Sequence, residues 1–195
     1  GEDALPTVYM HSVAGDGHCV WEACRRIGCP DFNLVSIYDF DFDGDLTPWP
    51  AQGVRKRQPP FKGNAKSHLA EMLDRIMPEA EDLLPAKSLY NALAGYSLAG
   101  LFALWSVWQT DRFTRLACGS ASFWYPGFLE YAVSHPMVRQ PDFVSLSLGD
   151  NESDTRHPVM SQVGKCTDKV MELLTERNIP YCFEINPGNH FTEPD

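Results

Sequence analysis

The clearest candidate for covalent chemistry in this chain is a serine that lies between small residues. Ser97 lies in the stretch GYSLAG, with Gly95 two places before it and Ala99 two places after it. A strand that turns sharply into a helix at such a serine is a nucleophile elbow, and the turn leaves no room for larger side chains there. The commoner pattern has glycine where this chain has Ala99. The alternative is that Gly95 and Gly100 only let a helix pack closely on a strand, so the motif needs partners.

The candidate partners of the serine come later in the chain. His190 lies at the tip of a turn after the last predicted strand, and Gly149 is followed by Asp150, Glu152 and Asp154. A serine hydroxyl needs a base such as histidine, and a carboxylate holds that histidine in the right tautomer. Asp150 is close enough to the strand end to cap its own turn, whereas Glu152 reaches further. We predict that Glu152 orients His190, with Asp150 as the alternative acid.

Six short runs rich in β-branched and aromatic residues must position these groups. The predicted strands are residues 7–11, 33–39, 89–94, 113–119, 143–148 and 180–185. Helical spacing of apolar residues separates them, and Pro78 is expected to end one helix near residue 77. This alternation predicts a single α/β domain over residues 1–195, with a mainly parallel sheet and helices on both faces. Reactive groups gather beyond the carboxyl ends of such strands.

The composition narrows the choice of partners and location. The 195 residues carry a net charge of −10, which argues against nucleic acid and acidic membrane surfaces as partners. No apolar run reaches the roughly 18 residues of a membrane span, and the first residues lack the pattern of a signal peptide. The six cysteines show no pairing pattern, so we predict reduced thiols in a cytoplasmic protein.

A metal or cofactor is not expected. Asp39, Asp41, Asp43 and Gly44 match the first half of a calcium-binding loop, but Pro50 stands where that loop needs a bidentate glutamate. The cysteines also lack the CxxC spacing of a zinc site. The residues 51–63, which include three consecutive cations and two prolines, predict an exposed loop.

Three segments together resemble the putative-esterase family of α/β-hydrolases. They are the elbow GYSLAGLFAL, the stretch 149–152 and the stretch GNHF at 188–191. The family includes enterochelin esterases, S-formylglutathione hydrolases, feruloyl and acetylxylan esterases, and mycolyltransferases, and the similarity covers most of the chain. It implies the α/β-hydrolase fold with a reduced N-terminal part and places the acid at Glu152. The family usually has glycine where this chain has Asn189.

The remaining site residues follow from that arrangement. The oxyanion of an acyl intermediate needs two converging N–H groups, which we assign to Leu98 and to Val13, with Ser12 as the alternative to Val13. Trp124, Tyr125 and Trp49 are candidates for the substrate-binding wall, although ordinary core packing would explain them equally well.

The sequence therefore predicts a serine esterase that hydrolyses a small-molecule ester through an acyl-enzyme intermediate, with no cofactor. An acyltransferase of the same family is one alternative. A catalytically silent α/β-hydrolase that serves as a binding module is the other. Oligomeric state is left open.

Overall fold

The computed structural model describes residues 4–13 and 15–192, which form one six-stranded sheet. The strands are β1 (Thr7–His11), β2 (Asn33–Ile37), β3 (Asn91–Tyr96), β4 (Arg115–Gly119), β5 (Phe143–Gly149) and β6 (Tyr181–Asn186). Their order across the sheet is β2-β1-β3-β4-β5-β6, and every neighbouring pair is parallel. The predicted parallel sheet is confirmed, with all six strands within a few residues of their expected positions.

Within the described residues, seven α-helices connect these strands. They are α1 (His18–Arg26), α2 (Phe42–Asp45), α3 (Ala65–Glu71), α4 (Met77–Leu83), α5 (Leu98–Trp105), α6 (Phe128–Ser134) and α7 (Val163–Glu176). None of the helices formed by the described residues is long and apolar enough to cross a membrane.

One face of the sheet carries the core. Tyr9, Leu93, Leu116 and Val144 are in register on β1, β3, β4 and β5, and each is buried. Helix α5, which is buried along its whole length, packs on β3 and β4 over this face. Because α5 begins directly after Ser97, this fully buried helix holds the position of the serine.

The opposite face is covered only in part. Gly17, which precedes α1, approaches the side chains of Met10 and Ser36, a register pair of β1 and β2 that points to this second face. Helix α1 therefore lies over the β1–β2 end of the sheet. Further along the same face, Ala117 of β4 and Phe143 of β5 are exposed. The helices lie on both faces, but they do so unequally.

The helix around residue 77 differs from its prediction. A π-helical turn, Met72–Ile76, links α3 to α4, and the helical backbone continues past Pro78 to Leu83. Proline lacks an N–H, and the first turn of a helix is where that loss costs least. The π turn makes Pro78 an early residue of α4, so it does not end the helix there.

Candidate active site

The backbone at Ser97 is strained in the way a nucleophile elbow requires. Ser97 sits between β3 and α5 with φ of 60° and ψ of −119°, a conformation that residues other than glycine rarely adopt. A Cβ atom at Gly95 would lie 2.4 Å from the backbone carbon of Ala99, which explains the glycine. The Ser97 N–H donates to the Gly119 carbonyl at 2.9 Å, so β4 helps to hold the turn.

His190 connects the serine to a carboxylate. Its Nε2 lies 3.1 Å from Ser97 Oγ, and its Nδ1 lies 2.8 Å from Glu152 Oε2. Because an ionised carboxylate only accepts hydrogen bonds, Nδ1 carries the proton and Nε2 is free to accept from the serine hydroxyl. The structure thus brings together the three residues Ser97, His190 and Glu152, from the ends of three strands.

The Glu152 carboxylate is buried, and both of its oxygens accept hydrogen bonds. Its side chain is only 2% exposed, and its Oε1 accepts hydrogen bonds from the Ser120 hydroxyl and from the Gly149 N–H. Burial by itself raises the pKa of Glu152, but the hydrogen bonds from His190, Ser120 and Gly149 hold its pKa below the ordinary value. The group is therefore an anion beside His190 at neutral pH.

The structure gives Asp150, the alternative acid, a different position. Its Oδ1 accepts a hydrogen bond from the Gly188 N–H at 2.8 Å, and the side chain is exposed to solvent. Asp150 therefore fastens the turn that carries His190 and makes no contact with the imidazole itself. Asp154, also exposed, lines the cavity described below.

Three residues near the serine were missed at the sequence level. Ser122 Oγ lies 3.2 Å from Ser97 Oγ, and Ser120 contacts Glu152. The Tyr96 hydroxyl donates to the backbone carbonyl of His190 at 2.9 Å. Both serines follow the strand beside the elbow strand, so the signal was their place directly after β4. Tyr96 gave no separate signal, because it is the variable position of the elbow motif.

The two candidate oxyanion donors lie at the same cavity. Leu98 is the first residue of α5, where a backbone N–H has no partner within the helix and the helix dipole favours negative charge. Val13 follows β1 and lines the cavity as well. The Ser12 N–H is already donated to the Ile37 carbonyl at 2.9 Å, which leaves Val13 as the better candidate of that pair.

A cavity of about 870 Å³ opens at Ser97 and His190. Trp124 is half-buried and lines this cavity. Tyr125 and Trp49 are not among its lining residues. The Tyr125 hydroxyl donates to the Trp49 carbonyl, and the Trp49 indole N–H donates to the Pro126 carbonyl at 2.8 Å. These bonds direct both rings toward the core, so the predicted wall is corrected to Trp124 alone of the three.

The aspartate-rich segment after β2 has a structural explanation. Asp41 accepts a bond from the Gly44 N–H and pairs with the Lys62 ammonium at 2.6 Å, so it caps α2. Across residues 4–13 and 15–192, no group of three or more His, Cys, Asp or Glu side chains is arranged to hold a metal ion.

The strand order, the elbow and the histidine loop define an α/β-hydrolase fold. The solved IroE-like serine hydrolase from Shewanella oneidensis has a TM-score of 0.77 at 19% identity, over 98% of this chain and 66% of that one. The siderophore hydrolase EstB from Aspergillus nidulans has a TM-score of 0.70 at 21% identity, over 97% of this chain and 78% of its own. The fold implied by the sequence resemblance is confirmed.

Comparison of sequences finds weaker similarity to known proteins than comparison of structures does. The uncharacterized protein YbbA of Bacillus subtilis (strain 168) is 22% identical over 198 residues, which cover 94% of this chain and 78% of that protein. No protein-family model matches the chain. The chain spans slightly less than two thirds of the Shewanella hydrolase.

Proposed function

We propose that this protein is a serine esterase that hydrolyses a small-molecule carboxylic ester and needs no cofactor. The observation that carries the proposal is the continuous line of hydrogen-bond contacts from Ser97 through His190 to Glu152, at the mouth of a large cavity. The strained backbone at Ser97 supports it, since such strain persists where function requires it.

In the proposed reaction, Ser97 Oγ attacks the acyl carbon while His190 Nε2 takes the hydroxyl proton. The carbonyl oxygen becomes an oxyanion facing the N–H groups of Leu98 and Val13. His190 then returns the proton to the alcohol oxygen as the carbon–oxygen bond breaks. A water molecule, deprotonated by the same Nε2, attacks the acyl carbon of the acyl-enzyme. His190 then gives this proton to Ser97 Oγ as the bond between the acyl carbon and Oγ breaks, which releases the acid. Glu152 stabilises the imidazolium during both halves.

The names of the structural neighbours agree with this chemistry. One is a serine hydrolase and another a siderophore hydrolase, so both are hydrolytic enzymes on the same fold. We take from them the class of reaction, and we propose for this chain an ester small enough to enter the cavity at Ser97.

Labelling with a fluorophosphonate probe tests the proposal directly, because the probe phosphonylates only an activated serine. We expect one adduct, mapped by mass spectrometry to Ser97, and hydrolysis of p-nitrophenyl acetate or butyrate. Ser97→Ala should lose both. Ser134→Ala, which removes an exposed hydroxyl bonded within α6, is the matched control and should keep both. Absence of an adduct from the unaltered protein would instead favour the silent binding module.

A further inference from the structure

A short turn lined with cations lies at the cavity. The Gln58 N–H donates to the Arg55 carbonyl at 3.0 Å, and the Gln58 side-chain oxygen accepts from the N–H groups of Val54 and Arg55, both at 3.1 Å. These bonds close residues 55–58 into a turn, which we call the basic turn. Val54, Arg55 and Gln58 all line the cavity that contains Ser97. The loop expected from sequence to be merely exposed is therefore part of the site.

His157 fastens the basic turn to a second segment, which contributes Met160 to the cavity lining. Its Nε2 lies 2.7 Å from the Val54 carbonyl, and its Nδ1 lies 3.2 Å and 3.3 Å from the N–H groups of Met160 and Val159. A carbonyl can only accept and an N–H can only donate, so Nε2 carries the proton and Nδ1 accepts. Every polar atom of the neutral ring is then satisfied. His157 thus fixes where Arg55 stands relative to the segment that follows Glu152.

Arg55 is the one lysine or arginine among the described residues that line the cavity. Arg55, Lys56, Arg57 and Arg156 are exposed, and none has a carboxylate within 4.0 Å among the residues that the structure describes.

Two carboxylates beyond Glu152 also line the cavity. Asp43 accepts a hydrogen bond from the Gln58 amide at 3.3 Å and so helps to hold the basic turn, while Asp154 is exposed. Neither pairs with Arg55. The Arg55 guanidinium, with its fork of donors, therefore keeps its full capacity for a planar anionic partner.

We propose that Arg55 selects esters that carry a second, free carboxylate, and that His157 positions Arg55 for this task. The inference rests on the proposed esterase function, because the bound ester must reach Ser97. Within that function it names the substrate class, an acidic ester, and the residue that recognises it.

Paired substrates test the selectivity. The mono-p-nitrophenyl esters of adipate and suberate carry the extra carboxylate, and their mixed methyl p-nitrophenyl diesters are neutral counterparts of nearly equal shape. We expect kcat/KM to favour the acids, mainly through KM, and the preference to shrink as salt is added. Arg55→Gln should lower the acid-to-neutral ratio by up to about fivefold, the effect of an exposed charge pair. His157→Ala should lower it in the same direction.

Arg26→Gln is the matched control, since it removes one exposed cation from the last turn of α1, away from the cavity lining, and should leave the ratio unchanged. An equal ratio in the unaltered protein and in Arg55→Gln would overturn the inference. A binding measurement separates this from failure of the esterase: calorimetry with the uncleavable monoamide of suberic acid should show weaker binding in Arg55→Gln. If the unaltered protein cleaved no ester but bound the monoamide, and Arg55→Gln abolished that binding, the proposed esterase function would be wrong. The proposed role of Arg55 in recognising a carboxylate would stand.

Discussion

Ser120 donates its hydroxyl hydrogen to Glu152 Oε1, the carboxylate oxygen that His190 does not use. Ser120 has φ of 43°, so its backbone is held in a conformation that is costly for a residue with a side chain. This backbone conformation occurs directly after β4, at the residue whose hydroxyl donates to the buried Glu152 carboxylate. The strained backbones of Ser97 and Ser120 thus orient the two hydroxyl groups that stand at the ends of the same series of hydrogen bonds.

Removal of the Ser120 hydroxyl is expected to slow the reaction without weakening substrate binding. Glu152 Oε1 would keep only the Gly149 N–H, so the carboxylate would be less stable as an anion and less firmly oriented. Ser120→Ala should lower kcat about tenfold with KM nearly unchanged, in line with the loss of a hydrogen bond to a charged group. Steady-state kinetics on a p-nitrophenyl ester measure both constants. A rise in KM at constant kcat would mean that Ser120 serves substrate binding instead.

The choice of acid can be decided by replacing each carboxylate with its amide. Glu152→Gln can no longer hold His190 in the productive tautomer and should lower kcat by about three to four orders of magnitude. Asp150→Asn keeps an oxygen that can accept from the Gly188 N–H, so it should cost less than about tenfold. If the Asp150 variant were the more damaged of the two, the assignment of Glu152 would be reversed.

The fold was predictable because each strand reads as an apolar run with turn residues at both ends, and because alternation with helices requires a parallel sheet. Ser97 and His190 could be proposed because each follows its own strand, whereas Glu152 was favoured over Asp150 by its longer reach and by the family resemblance. The wall was not. Whether an aromatic ring such as Tyr125 faces a cavity or the core depends on which carbonyl its hydroxyl reaches, in this case that of Trp49, 76 residues away. Such distant backbone partners leave no mark on local spacing.

Gly95 offers a test of the elbow that is independent of chemistry. A methyl group there would lie 2.4 Å and 2.5 Å from the backbone carbon and oxygen of Ala99, and neither atom can move without displacing α5. Gly95→Ala should therefore lower the free energy of unfolding by about 3 kcal/mol or more. Gly164→Ala is the control, because the added methyl would lie 2.9 Å from the Ser153 hydroxyl, which can rotate, and at an ordinary contact distance of 4.0 Å from Leu148. It should change stability by less than about 1 kcal/mol. Urea unfolding of both variants measures the difference.

A buried pair of histidines behind the site should make stability depend on pH. His11 Nε2 lies 2.8 Å from His68 Nε2, and both side chains are packed against Phe102. Burial, with the neighbouring His68, lowers the pKa of His11 from 6.5 to about 3. Burial lowers the pKa of His68 as well, although Asp45 and Glu71 oppose that shift.

The sign of the effect follows from which state binds the proton. Between pH 6.5 and pH 3 the unfolded chain protonates His11 and the folded chain does not, so the stabilisation is complete above 6.5 and is lost as the pH falls. Each such proton contributes a slope of up to about 1.4 kcal/mol per pH unit. His11→Gln removes one titrating group and should make the fall in unfolding free energy between about pH 6.5 and about pH 5 shallower by about one proton. His68→Gln should do so in part, and an unchanged slope in both variants would show that the pair does not govern the acid sensitivity.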